Sequence, residues 1–162
     1  MQLLIHAALP CTAETAWRWL VDPERMAEWS TASVKALSPG EAGLPWSEGA
    51  LREVMVPLPG ARLRLKEVVA EAAPPSRFVY RVYAGMPADA HRGVITLEGD
   101  HPCLVTWQVE AQFTSWVRSR LARAWLRREL RRSLERLKRC VLGAAPERCV
   151  HRPPWEDRAD ST

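Results

Sequence analysis

The sequence predicts an α+β domain: a curved antiparallel sheet with two short helices near its start and a long helix at its end. Three observations predict it. Apolar and polar residues alternate along much of residues 50–113, the pattern of strands with one buried and one wet face. Breaks rich in Pro and Gly separate these segments at hairpin spacing,. Residues 115–142 then change period and carry an apolar stripe at helical spacing,.

The elements follow in order. Gln2 to Ala8 reads as a strand with Leu3, Ile5 and Ala7 on one face,. Pro10 breaks it, and Thr12 is a fitting N-cap, since its hydroxyl accepts from a free backbone N–H of the first turn. The helix that follows presents Ala16, Trp17, Leu20 and Val21 on one side. Asp22-Pro23 ends it and starts a second short helix, with Pro at the first position where its missing N–H costs nothing. Strands are predicted over 33–37, 50–56, 62–72, 77–83, 93–98 and 103–113. Pro57, Pro59 and Gly60 form one hairpin turn, Pro74-Pro75 the next, and Gly99-Asp100 the last,. Ser115 to Leu142 is the long helix, with Gly143 as its stop. Its stripe is Ala122, Leu126, Leu130, Leu134, Leu137 and Val141, widened by Ser119 and Ser133; Arg120, Arg127, Arg128, Arg131, Lys138 and Arg139 lie opposite. Residues 1–142 form one domain, and 143–162 read as a loosely ordered, charged tail.

A chain of 162 residues buries about 70% of its unfolded surface on folding, so a core needs neither disulfides nor metal. The four cysteines (Cys11, Cys103, Cys140 and Cys149) show no paired spacing and read as free thiols. The eight tryptophans against two Phe and two Tyr exceed what a small core needs, which places some at a cavity or rim. No apolar run approaches the ~20 residues that span a bilayer. The first residues lack a basic stretch followed by a long apolar one, so the expectation is a cytoplasmic protein. The net charge of +4 conceals an asymmetry: residues 115–142 carry +8 and the remainder −4.

The order and its landmarks resemble the SRPBCC superfamily, the helix-grip proteins that include START lipid-transfer domains and pollen-allergen-like proteins, and most of all its polyketide cyclase/dehydrase and lipid-transport group. The landmarks are Ile5-His6-Ala7-Ala8, Thr15-Ala16-Trp17, Asp22-Pro23 through Met26 to Trp29, Gly49-Ala50, Leu65-Lys66-Glu67-Val68-Val69, Pro74-Pro75-Ser76-Arg77-Phe78-Val79-Tyr80 and Val105-Thr106-Trp107. They span residues 2–142 and are marks of fold more than of activity; Trp29 is expected to pack rather than to touch a ligand. The resemblance implies a helix-grip fold with a cavity between the concave sheet face and the helix stripe. The walls would be Met55, Leu65, Glu67, Val69, Tyr80, Ile95, Trp107 and Val109 from the sheet and Leu126, Leu130 and Leu134 from the helix.

Residues able to carry chemistry are few. Glu67 shares strand parity with Leu63, Leu65 and Val69. Facing inward, it is a desolvated carboxylate suited to proton transfer; a bulge that returns it to water, or a buried pair with Arg81, is the alternative. His91 sits where a pocket mouth would be, and Tyr80 or Tyr83 is a candidate proton relay. His6, His101 and His151 are read as wet-face, turn and tail residues. Cys140, Cys149 and His151 lack zinc-site spacing, and nucleotide motifs are absent; neither metal nor cofactor is expected. The leading function is binding or transport of an apolar small molecule, lipid, polyketide or aromatic. The alternatives are a cyclase/dehydratase-type enzyme acting on such a ligand and a regulatory protein docking through the basic helix. The arginine face reads first as a solvated surface; Val117, Leu121, Ala124 and Trp125 form a second apolar patch beside it, which suits contact with an anionic membrane surface, or packing on a neighbouring loop or a second subunit. No base-reading motif accompanies the arginines, so nucleic acid is not expected. A monomer and a homodimer are both compatible.

Overall fold

The computed structural model describes residues 1–58 and 60–143. The predicted tail with Cys149, His151 and Trp155, and Pro59 of the first hairpin turn, lie outside the described residues. The chain runs β1 (Gln2–Leu9), α1 (Ala13–Val21), α2 (Pro23–Trp29), β2 (Ser33–Ser38), β3 (Leu51–Leu58), β4 (Ala61–Ala73), β5 (Arg77–Ala84), β6 (Ala90–Glu98), β7 (Cys103–Gln112) and α3 (Trp116–Gly143). The seven strands form one antiparallel sheet in the order β1-β7-β6-β5-β4-β3-β2. Strands β2 to β7 are therefore a meander of hairpins, and β1 returns to pair with β7. This is the expected helix-grip architecture. Pro57 lies inside β3, so the first turn is tighter than predicted, and Gly143 is the last residue of α3 rather than the one beyond it.

Local chemistry accounts for the element ends. The Thr12 hydroxyl accepts from the Thr15 amide at 3.2 Å, and Asp22 Oδ1 accepts from the Glu24 amide at 3.0 Å. Each satisfies a donor that the first helical turn leaves open. Register shifts at Ala36/Ser38, Lys66/Glu67 and Val69/Glu71 interrupt the ladder. Such bulges bend their strands and raise the local twist, which turns a flat ribbon into a concave one.

The core fills one end of that concavity. Leu3, Ile5 and Leu9 of β1, Trp17 and Leu20 of α1, and Val105 and Val109 of β7 are buried together. Trp29 is fully buried; its indole N–H donates to the Trp19 carbonyl at 2.8 Å and its ring lies edge-on to Trp107 at 6.4 Å. It is a packing residue, as expected. Helix α3 packs against β1 and α2. Leu134, Leu137 and Val141 at its C-terminal end are buried, whereas Ala122, Leu126 and Leu130 are only half-buried. No described helix is long and apolar enough to cross a membrane.

Candidate functional site

Beneath the stretch of α3 whose stripe is only half-buried, a cavity of about 120 Å³ lies between the helix and the concave sheet. Leu65 and Glu67 of β4, Phe78 and Tyr80 of β5, and Ile95 of β6 line its floor. Trp125, Leu126 and Leu130 of α3 form the roof, and Met26 of α2 and Val34 of β2 close one side. Ser133 pins the roof to the wall, because its hydroxyl accepts from the Thr31 amide at 3.2 Å.

Two charged residues lie on the floor. Arg52 and Glu67 are direct cross-strand partners in the β3–β4 hairpin. Their side chains meet at 3.0 Å and are 3% and 8% exposed. The guanidinium also lies over the Phe78 ring, 5.0 Å from its centroid, and near Tyr80 at 5.8 Å. Opposite charge across the strand pair and aromatic faces beneath it together offset the cost of desolvating the cation. Burial holds the Glu67 carboxyl above its ordinary range, with the Arg52 charge opposing.

Tyr80 and His91 form the second polar group. The Trp107 indole donates to the Tyr80 hydroxyl at 3.1 Å, so the hydroxyl's own proton remains for another partner. Burial and the nearby Glu67 carboxylate push the phenol above its usual range, and it stays protonated at neutral pH. Gly93 stands opposite Tyr80 in the β5–β6 pair. A Cβ there would run into the phenol ring, so only glycine lets the ring lie down across β6. The His91 ring lies 6.0 Å from the Tyr80 ring. Its Nδ1 is buried without a partner, and burial lowers its pKa to about 4. The imidazole is therefore neutral across the physiological range.

The structure gathers Leu65, Glu67, Tyr80, Ile95, Trp107, Leu126 and Leu130 around the cavity, with His91 at its wall. It does not bring in the rest. Val69, Val109 and Leu134 are core residues that do not reach the cavity. Met55 is on the other face of β3, against Ser33 and Arg62, because its parity is opposite to that of Val54 and Val56. Tyr83 is 52% exposed and away from the site, so it is no relay. The partner of Glu67 is Arg52, not Arg81, which is exposed. Trp125, part of the apolar patch off the core stripe, lines the cavity as well. Sequence reasoning missed Arg52. Its signal was parity: Arg52, Val54 and Val56 share one face of β3.

Comparison with known proteins agrees with the fold. The family model described as "Polyketide cyclase / dehydrase and lipid transport" matches residues 6–141. No curated protein matches the chain by sequence. Among solved structures, a START superfamily protein from Mycobacterium smegmatis is 14% identical with a TM-score of 0.74, over 87% of this chain and 97% of that one. Protein TTHA0849 from Thermus thermophilus is 16% identical with a TM-score of 0.71, over 90% and 99%. A major latex-like protein from Panax ginseng is 12% identical with a TM-score of 0.69, over 88% and 97%. At such identities the structural likeness speaks for the fold alone. With the family model spanning nearly the whole described chain, this protein belongs to the polyketide cyclase/dehydrase and lipid-transport family of the SRPBCC superfamily.

Proposed function

We propose that the chain binds and carries a compact apolar molecule in the cavity beneath α3. The superfamily is one of hydrophobic-ligand binders and polyketide cyclase-like proteins, and the cavity supports the first of these. The carrying observation is that a leucine stripe continuous along α3 is only half-buried where it passes over the cavity, at Leu126 and Leu130. An apolar cavity of about 150 Å³ stays dry and takes up benzene. At about 120 Å³, this one suits a ligand of about one ring or a short acyl chain; a larger lipid or polyketide requires α3 to move.

Filling the cavity tests the reading. In a packed core, enlarging a side chain costs about 1–3 kcal/mol through strain; over empty space the added bulk has somewhere to go. Leu130→Trp is expected to keep stability near wild type while abolishing benzene binding, followed by NMR shifts of cavity methyl groups. A wild-type protein that binds no benzene, together with a strongly destabilised Leu130→Trp, would mean a solid interior.

Acid–base chemistry on the ligand is a second reading, favoured by Glu67, Tyr80 and His91 facing one cavity. Neutral His91 is its base candidate, since Glu67 is held by Arg52. His91→Gln would then stop turnover while leaving ligand binding intact.

A further inference from the structure

The polar groups of the cavity are incompletely satisfied, and in a particular way. Arg52 is 2% exposed and lines the cavity. One of its nitrogens, Nη2, donates to Glu67 at 3.0 Å, while Nε and Nη1 are buried without any partner. A buried donor left open is costly, and more so when it is charged. Folding thus leaves a desolvated cation with open donors beside a cavity whose walls are mostly apolar. A guanidinium can only donate, so whatever satisfies it must bring acceptor oxygens. An oxyanion is the strongest match, because charge-assisted hydrogen bonds are about twice as strong as neutral ones. A cationic head group would leave those donors open, since it offers them no acceptor. The remaining polar groups agree: the Tyr80 hydroxyl still has its proton to donate, and His91 Nδ1 is open.

We propose that Arg52 anchors the head group of the ligand, and that the ligand is a compact carboxylic acid, one ring or a short apolar chain behind a single carboxylate. The inference rests on the carrier reading and narrows it from apolar molecules in general to amphipathic acids. The carboxylate sits at the open Arg52 donors, with the apolar body under Leu126 and Leu130. A second negative charge beside Glu67 is accommodated because the Glu67 carboxyl, already held high by burial, takes a proton from solvent as the anion enters. The site then holds one cation, one anion and one neutral acid. The titratable and charged groups lining it from every side are Arg52, Glu67, Tyr80, His91 and Glu129 of α3, and Glu129 is paired with Arg132 at 3.5 Å.

The test compares phenylacetate with 2-phenylethanol, which share a body and differ in the head, by calorimetric titration of the full chain. Wild type is expected to bind phenylacetate at least about tenfold tighter, a difference of about 1.4 kcal/mol. Arg52→Met is expected to reduce that preference to within about twofold. Should Arg52→Met leave Glu67 too exposed to charge to fold, the double variant Arg52→Met/Glu67→Leu removes both charges and is expected to show the same loss. Equal binding of acid and alcohol by wild type overturns the proposal. So does a preference that survives the double variant, and so does phenylacetate binding that survives Leu130→Trp, which would place it on the arginine face of α3. Benzene separates the two levels of argument. If benzene binds and the acid has no advantage, the anchor fails and the cavity stands; if neither binds, the carrier reading itself fails.

Discussion

The two halves of α3 carry the same residue pattern and do different things. Leucines at helical spacing run from Leu126 to Leu137. Leu134, Leu137 and Val141 are sealed against β1 and α2, whereas Leu126 and Leu130 hang half-buried over the cavity, beside Trp125. The leucine stripe itself does not distinguish the halves. The difference comes from what lies beneath, a filled core at one end and a concave floor with a buried ion pair at the other. An amphipathic stripe therefore specifies where a helix must dock, and says little about whether it meets matter or space.

The sharpest way to break the comparison is to shorten one leucine in each half. Leu137 is fully buried, and Leu137→Ala is expected to cost about 3 kcal/mol by urea denaturation, within the range for a core leucine. Leu130→Ala should cost about 1 kcal/mol, because one side of that side chain already lacks packing partners. Equal costs would erase the distinction.

A middle-sized effect comes from pH. The His91 pKa is about 4 in the fold, against about 6.5 unfolded. As pH falls through that window the unfolded chain takes up the proton first, so stability drops with acid; between pH 7 and 5 this amounts to about 2 kcal/mol. Glu67 acts in the opposite sense, since its raised value favours the fold at low pH and loses that advantage as pH rises,. The informative quantity is thus the difference between proteins: His91→Gln should be less acid-sensitive than wild type by about 2 kcal/mol. Identical pH profiles would place His91 in water rather than at the cavity wall. The smallest stability effect belongs to the outer surface of the same half-helix, where Leu121 is 67% exposed. Leu121→Glu should change stability by less than about 0.5 kcal/mol while reducing flotation with anionic vesicles at low salt. No flotation of wild type at low salt would leave the arginines as a solvated surface.

Much of the fold was legible because alternation, turns and caps agree with one another. The site was less legible, for two physical reasons. Parity reverses at every bulge, so the face of a residue such as Ala70 or Glu71 cannot be read past the register shift at Val69/Glu71. Parity also matters one residue at a time: Met55 was placed by type rather than by position, and Arg52 was not singled out at all. The pairing of Arg52 with Glu67 was in principle available. Once Leu58 is set opposite Ala61, the hairpin register alone sets Arg52 against Glu67. Spreading the turn over Pro57 to Gly60 hid it. Trp125 was missed for a different reason: a helix lying over a broad concave floor covers it with a wider arc than a narrow stripe suggests.

Helix α3 has buried residues only toward its C-terminal end, from Ser133 to Val141, and that end can serve as a fulcrum. Twelve residues separate Trp125 from Leu137, about 18 Å of helix at 1.5 Å per residue. A rotation of about 10° around the buried end displaces Trp125 by about 3 Å, roughly a third of the spacing between packed helices. The same rotation barely moves Leu137. Side chains at the fulcrum can stay in their rotamers while the roof travels the thickness of an aromatic ring. The volume above Arg52 is then set by an angle rather than by the melting of any element, and the Thr31–Ser133 hydrogen bond, close to the fulcrum, sits where it resists that rotation with the least mechanical advantage.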